Sequence, residues 1–132
     1  LCDLAGVEIP SYLDGKSLVP LMKNPSASVK DFSVSQYPRS DTTSETQRLG
    51  FADAKVMGYS IRTKQYRFTI WMKDFFRSTQ PFNKELVAGS ELYDYKKDPN
   101  ETVNVVNDKK YTAVYNDMYQ KMRRFFKSQE TK

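Results

Sequence analysis

The 132-residue chain contains no histidine and a single cysteine, Cys2. Without imidazole, Ser-His-Asp and Cys-His catalysis are excluded within this chain, as is any histidine-ligated metal site. One cysteine permits no intrachain disulfide, so cysteine usage leaves the redox compartment open. No apolar run approaches the roughly 18–20 residues that span a bilayer, and the first residues do not form a signal peptide. No internal repeat or low-complexity tract occurs. Leu1 is not a methionine, and LCDLAG (Leu1–Gly6) reads as the end of a helix that begins earlier, so the chain is expected to be a piece of something longer.

What is present is aromatic and mildly basic. Aromatics make up 14%, with nine tyrosines and eight phenylalanines, which suits sheet surfaces and aromatic packing. Charged residues at 28% and apolar ones at 39% place the chain in the globular class rather than among disordered sequences. A net charge of +5 suits an acidic partner, whether nucleic acid, sulfated glycan or an acidic protein face, and equally a plain basic domain. The basic residues are dispersed, and no Lys/Arg-Gly-Phe-type strand motif accompanies the aromatics, which argues against nucleic acid.

Prolines 10, 20 and 25 punctuate a connector over residues 1–29, with a short helix expected in SLVPLMK, capped by Ser17. Val29–Tyr37 reads as a strand, Arg39–Arg48 as a polar loop, and Lys55–Arg62 with Tyr66–Lys73 as a hairpin. Asp74–Ser90 lacks clean periodicity, Glu91–Tyr95 reads as a short strand, and Asp98-Pro99-Asn100 as a turn. From Asn107 or Asp108 onward, Tyr111, Val114, Tyr115, Met118, Met122, Phe125 and Phe126 recur at helical spacing. The expected fold is α+β: a small antiparallel sheet of about four strands with a long C-terminal amphipathic helix packed on it.

In MGYSIRTKQYRFTIW (Met57–Trp71), only one register separates apolar from polar residues. It sets Ile61 opposite Phe68 and Tyr59 opposite Ile70 on one face, with Ser60 opposite Thr69 and Gly58 opposite Trp71 on the other. A sheet with one buried face needs that segregation. Its cost is Arg62 opposite Arg67, with Lys64 nearby in the turn, because facing like charges destabilise a sheet. Either a carboxylate answers them, from Glu91, Asp94 or beyond the chain, or this basic tip of Arg62, Lys64 and Arg67 faces a sulfated or carboxylated ligand.

SQYPR (Ser35–Arg39), MGYSIRT (Met57–Thr63), YRFTIW (Tyr66–Trp71) and ELYDYKKDPNETVNV (Glu91–Val105), in that order, resemble the C-terminal subdomain of sulfatases, most closely the iduronate-2-sulfatase branch. ELYD, DPNE and Asn104 are family-wide, whereas SQYPR with MGYSIRT is narrower. Leu1–Met22 resembles the family's connector, so the resemblance implies a connector over 1–29 and the subdomain over 30–132. It also implies hydrolysis of sulfate esters, those of 2-sulfated uronic acid units in glycosaminoglycans, by a catalytic domain N-terminal to this chain. That domain would hold the calcium and the formylglycine, which forms from cysteine in Cys-x-Pro-x-Arg. Cys2 is followed by Asp-Leu-Ala-Gly, and no catalytic, metal or cofactor group is assigned to this chain, so the isolated chain is expected to be inactive. Gln36, Tyr37 and Arg39 are the candidates for the substrate rim; the other reading of Arg39 is a tie to the catalytic domain. Alternatives are a sulfatase of different sugar specificity and a non-catalytic module for acidic glycans. The implied compartment is periplasmic, secreted or lysosomal, and the isolated chain is expected to self-associate through apolar surface that the catalytic domain would cover.

Overall fold

The computed structural model describes residues 1–13, 15–39, 56–74 and 76–130. The chain forms two compact units, Leu1–Phe32 and Ser33–Lys132.

In the first unit, LCDLAG is a set of hydrogen-bonded turns. Gly6 adopts φ +68, its N–H donates to the Asp3 carbonyl at 3.3 Å, and the Val7 N–H donates to the Cys2 carbonyl at 3.1 Å. This is the glycine-terminated pattern that closes helix C-termini. Helix α1, Val19–Lys23, carries Pro20 in its first turn, where a missing N–H costs nothing. The Ser17 hydroxyl accepts from the Val19 N–H at 3.2 Å, but the cap position itself is Leu18, one residue later than expected. Leu1, Leu4, Tyr12, Leu18 and Met22 are all exposed in this unit.

The second unit is a four-stranded antiparallel sheet in the order β1-β2-β3-β4. The strands are β1 (Ser33–Arg39), β2 (Val56–Arg62), β3 (Tyr66–Met72) and β4 (Val87–Asp94). Helix α2 (Thr112–Gln129) lies on one face, entered through a 3-10 turn over Lys109–Tyr111 that the Asp108 carboxylate caps by accepting from the Lys110 N–H. The architecture is the α+β arrangement expected. Strand β1 begins at Ser33, four residues later than expected, and runs two residues further, through Pro38, because β1 is an edge strand and proline's absent donor is harmless there. Strand β4 begins four residues before Glu91: Gly89, opposite Trp71 in the ladder, has no side chain and so blurred the pattern. Of the polar loop expected over Arg39–Arg48, Arg39 ends β1 and the remainder lies outside the described residues, as does Lys55.

Strands β2 and β3 pair in the segregated register: Tyr59 with Ile70, Ile61 with Phe68, and Arg62 with Arg67. A two-residue loop, Lys64-Gln65, closes the hairpin. The Thr63 N–H donates to the Tyr66 carbonyl, and the Tyr66 N–H returns to the Thr63 hydroxyl, each at 2.9 Å. Tyr59, Ile61, Phe68, Ile70, Met72 and Leu92 are buried beneath Met118, Met122 and Phe126 of α2. Burying such a side chain contributes about 1.5–3 kcal/mol. Edge-to-face rings tie helix to sheet, Tyr59 to Phe126 at 5.0 Å and Phe68 to Tyr115 at 5.5 Å. Each adds about 0.5–1.5 kcal/mol beyond its area.

The other face is polar and aromatic. The Thr69 hydroxyl donates to Ser60 at 2.9 Å, and the Trp71 indole lies over Gly58, where an added Cβ would fall 2.5 Å from the ring. The indole cannot retreat easily, because its N–H donates to Glu91 at 2.9 Å. Gly58→Ala is therefore expected to destabilise the chain by about 1–3 kcal/mol, the ordinary cost of overpacking. A urea unfolding midpoint identical to the wild type would show that the indole yields freely.

Candidate functional site

The antiparallel order gives the sheet two chemically different ends. Strands β2 and β4 run toward the hairpin end, where Arg62, Tyr66 and Asp94 meet. Strands β1 and β3 run toward the opposite end, where Arg39 and Met72 stop.

At the hairpin end both opposed arginines make contacts within the chain. The Arg62 guanidinium stacks on the Tyr95 ring at 3.2 Å, and Arg67 lies 5.1 Å from the Tyr93 ring centre. Arg67 also pairs with the Glu101 carboxylate, whose second oxygen accepts from the Tyr95 hydroxyl. Glu101 thus spans the two arginines, directly to one and through Tyr95 to the other. It does so from a left-handed backbone, φ 55. The carboxylate that answers Arg67 is neither Glu91 nor Asp94. Glu91 accepts from Trp71 and, at 3.4 Å, from Tyr93, while Asp94 serves the hub below. Lys64 sits exposed in the turn.

Asp94 is buried at the junction of hairpin, turn and helix. Its Oδ1 accepts from the Gln65 amide at 3.0 Å and the Lys96 N–H at 3.1 Å, and its Oδ2 from the Tyr111 hydroxyl at 3.0 Å. Burial pushes the carboxyl pKa up, but these donors, with the nearby Lys97 ammonium, outweigh it and hold the value below the usual one. Asp98 closes the next turn by accepting from the Val103 N–H at 2.8 Å and the Thr102 hydroxyl at 3.2 Å, which lowers its pKa too. Asn104 then accepts from the Leu92 N–H at 3.0 Å, fastening the segment to β4. The whole of ELYDYKKDPNETVN is therefore a folded bracket.

The opposite end is built differently. Tyr37 and Arg39 project on the face of Trp71, Tyr37 is 66% exposed, and the Arg39 guanidinium stacks 4.1 Å from the indole. Among the described residues no carboxylate lies within 4.0 Å of that guanidinium. Stacking fixes the plane of an arginine and leaves its edge N–H groups able to take an anion through two parallel bonds. Gln36 falls on the opposite, helix-bearing face by strand alternation, so the structure separates it from Tyr37 and Arg39. Sequence spacing did not reveal Glu101 or Tyr95, which reach the arginines from a turn about thirty residues away. Cys2 is half-buried and unpaired in the first unit. Among the described residues no three His, Cys, Asp or Glu side chains gather as a metal site, and no described helix is long and apolar enough to cross a membrane.

The family profile described as "N-sulphoglucosamine sulphohydrolase, C-terminal" matches residues 1–128. The chain is 30% identical over 114 residues to a delta 4,5-hexuronate-2-O-sulfatase of Bacteroides thetaiotaomicron, a match covering 86% of this chain and 19% of that protein. It is 36% identical over 86 residues to iduronate 2-sulfatase of Mus musculus, covering 64% of this chain and 15% of the relative. A solved structure titled as a 2-O GAG sulfatase superposes with a TM-score of 0.67 at 23% identity, over 98% of this chain and 23% of that one. The chain thus spans less than a fifth of the length of these curated relatives.

The Asp94 hub predicts a pH dependence with a definite sign. A carboxyl whose folded pKa is depressed adds stability above its unfolded value, near 3.9, and loses it as pH falls through the folded value. Urea stability should decline as pH drops below about 4. Asp94→Asn should cost about 1–3 kcal/mol at neutral pH and remove part of that decline. Parallel pH profiles for the two proteins would contradict the assignment.

Proposed function

The chain belongs to the N-sulphoglucosamine sulphohydrolase C-terminal family, and from that premise we propose that it is the C-terminal part of a sulfatase acting on 2-sulfated uronic acid units of glycosaminoglycans. The observation that carries the substrate reading is the relationship, over 86% of the chain, to a protein named for 2-O-sulfated hexuronate. In this reading the catalytic chemistry belongs to the part of the polypeptide that precedes Leu1. Calcium and formylglycine belong there as well. The described residues here fit neither group, since no acidic cluster forms and Cys2 is followed by Asp3 and Leu4. No step of sulfate hydrolysis is assigned to this chain.

Its own contribution is positioning. The catalytic domain is its partner, and the exposed apolar residues of the first unit, Leu4, Leu18 and Met22 among them, are surface for that partner to cover. The sheet end with Tyr37 and Arg39 forms part of the substrate rim. Arg39, held flat on Trp71, takes the uronate carboxylate or the sulfate, and Tyr37 contacts the sugar.

The test uses the full-length protein, assayed for sulfate release from 2-sulfated uronate disaccharides and from 6-sulfated glucosamine. Release should favour the first substrate, and Arg39→Ala should raise its KM about tenfold, the scale of one charge-assisted contact. Preference for the second substrate would defeat the specificity reading. Unchanged kinetics in the variant would defeat the role of Arg39.

A further inference from the structure

Gln36, Met57, Arg77, Ser78 and Thr79 line an open cleft of about 650 Å³ on the face of the sheet opposite Arg39. The rim segment Arg77–Thr79 is exposed or half-exposed, yet it is tied down on both sides. Before it, Asp74 adopts a left-handed φ of 57, a conformation uncommon for a non-glycine residue. Phe76 then buries its ring against Phe126 at 5.3 Å and Tyr59 at 6.0 Å, and its carbonyl accepts from the Tyr59 hydroxyl at 2.8 Å. After it, the Arg77 N–H donates to the Gln80 side chain at 3.0 Å, and the Gln80 N–H donates back to the Arg77 carbonyl at 2.9 Å. Among the described residues no carboxylate lies within 4.0 Å of the Arg77 guanidinium.

The cleft therefore gathers one guanidinium, two hydroxyls, a carboxamide and a thioether on a rim anchored in the core. A guanidinium matches a carboxylate or a sulfate half-ester with two parallel bonds. Hydroxyls and an amide match sugar hydroxyls, and Met57 supplies an adaptable apolar surface for the C–H face of a ring. Anchoring also reduces the ordering cost of binding. We propose that this cleft is a second subsite, binding an anionic sugar unit of the glycan at a position other than the one met by Arg39. The proposal rests on the glycan reading above and extends it to longer substrates, with Arg77 as the charge-recognising residue and Gln36, Ser78 and Thr79 as neutral contacts.

The experiment is calorimetric titration of the full-length protein with a size-defined heparin-derived tetrasaccharide. Arg77→Ala should weaken binding about tenfold, with part of the loss recovered in Arg77→Lys. Lys127→Ala, an exposed charge in the last turn of α2, should bind as the wild type does. Carboxyl-reduced and desulfated tetrasaccharides separate the two anions: the modification that abolishes the difference between wild type and Arg77→Ala identifies the group bound. Equal affinity for wild type and Arg77→Ala overturns the subsite. An equal loss in Lys127→Ala overturns it too, since attraction would then be diffuse. Binding is read without sulfate release, so a protein that binds through Arg77 but does not hydrolyse 2-sulfated uronates defeats the function proposed above and leaves the subsite standing.

Discussion

Burying Tyr59, Ile61, Phe68 and Ile70 on one face permits only one register between β2 and β3, and that register brings Arg62 and Arg67 face to face. Two guanidinium groups so placed need an answer, and most of the structure at that end supplies it. Glu101 pairs with Arg67, Tyr95 lies under Arg62, and the bond between Tyr95 and Glu101 joins the two. Bringing Glu101 back from beyond β4 requires a tight return, and the return is organised by two carboxylates and a carboxamide. Asp94 fastens hairpin and helix entry, Asp98 closes the turn, and Asn104 fixes the exit to β4. Core burial thus dictates the chemistry of a surface turn.

At the other end of the sheet, no carboxylate of the described residues plays that part. Arg39 is oriented by an aromatic ring rather than by a carboxylate, and the indole is itself seated on Gly58 and held by Glu91. The backbone of Arg77 is held by a turn anchored through Phe76. Among the described residues neither guanidinium has a carboxylate within 4.0 Å, and the two lie on opposite faces of the sheet. Positioned but uncompensated charge suits recognition of an anion. Paired charge, as between Arg67 and Glu101 at the hairpin end, suits rigidity.

Much of this was legible in the sequence because periodicity reports burial directly. The alternation in MGYSIR and YRFTIW determined the hairpin register, including the seat of Trp71 on Gly58, and the spacing from Tyr111 to Phe126 marked the helix. The start of β4 was hidden because Val87–Ser90 offers a glycine and small residues where a pattern needs side chains. Glu101 was hidden for another reason. Nothing local marks a carboxylate that must travel across a turn to meet residue 67, and Glu91 and Asp94 were nearer along the chain. Gln36, Tyr37 and Arg39 looked like a single site because they are adjacent, but strand alternation sends Gln36 to the face of the Arg77 cleft.

Amide hydrogen exchange on the full-length protein, with and without the heparin-derived tetrasaccharide, tests most directly whether recognition is confined to one end of the sheet. The account predicts slowed exchange at Ser35–Tyr37 and Arg39 on edge strand β1 and across Arg77–Gln80. The Thr63–Tyr66 turn and the bracket around Glu101 should exchange at unchanged rates. Protection centred on Arg62, Arg67 and Glu101, with none at β1 or Arg77, would contradict it.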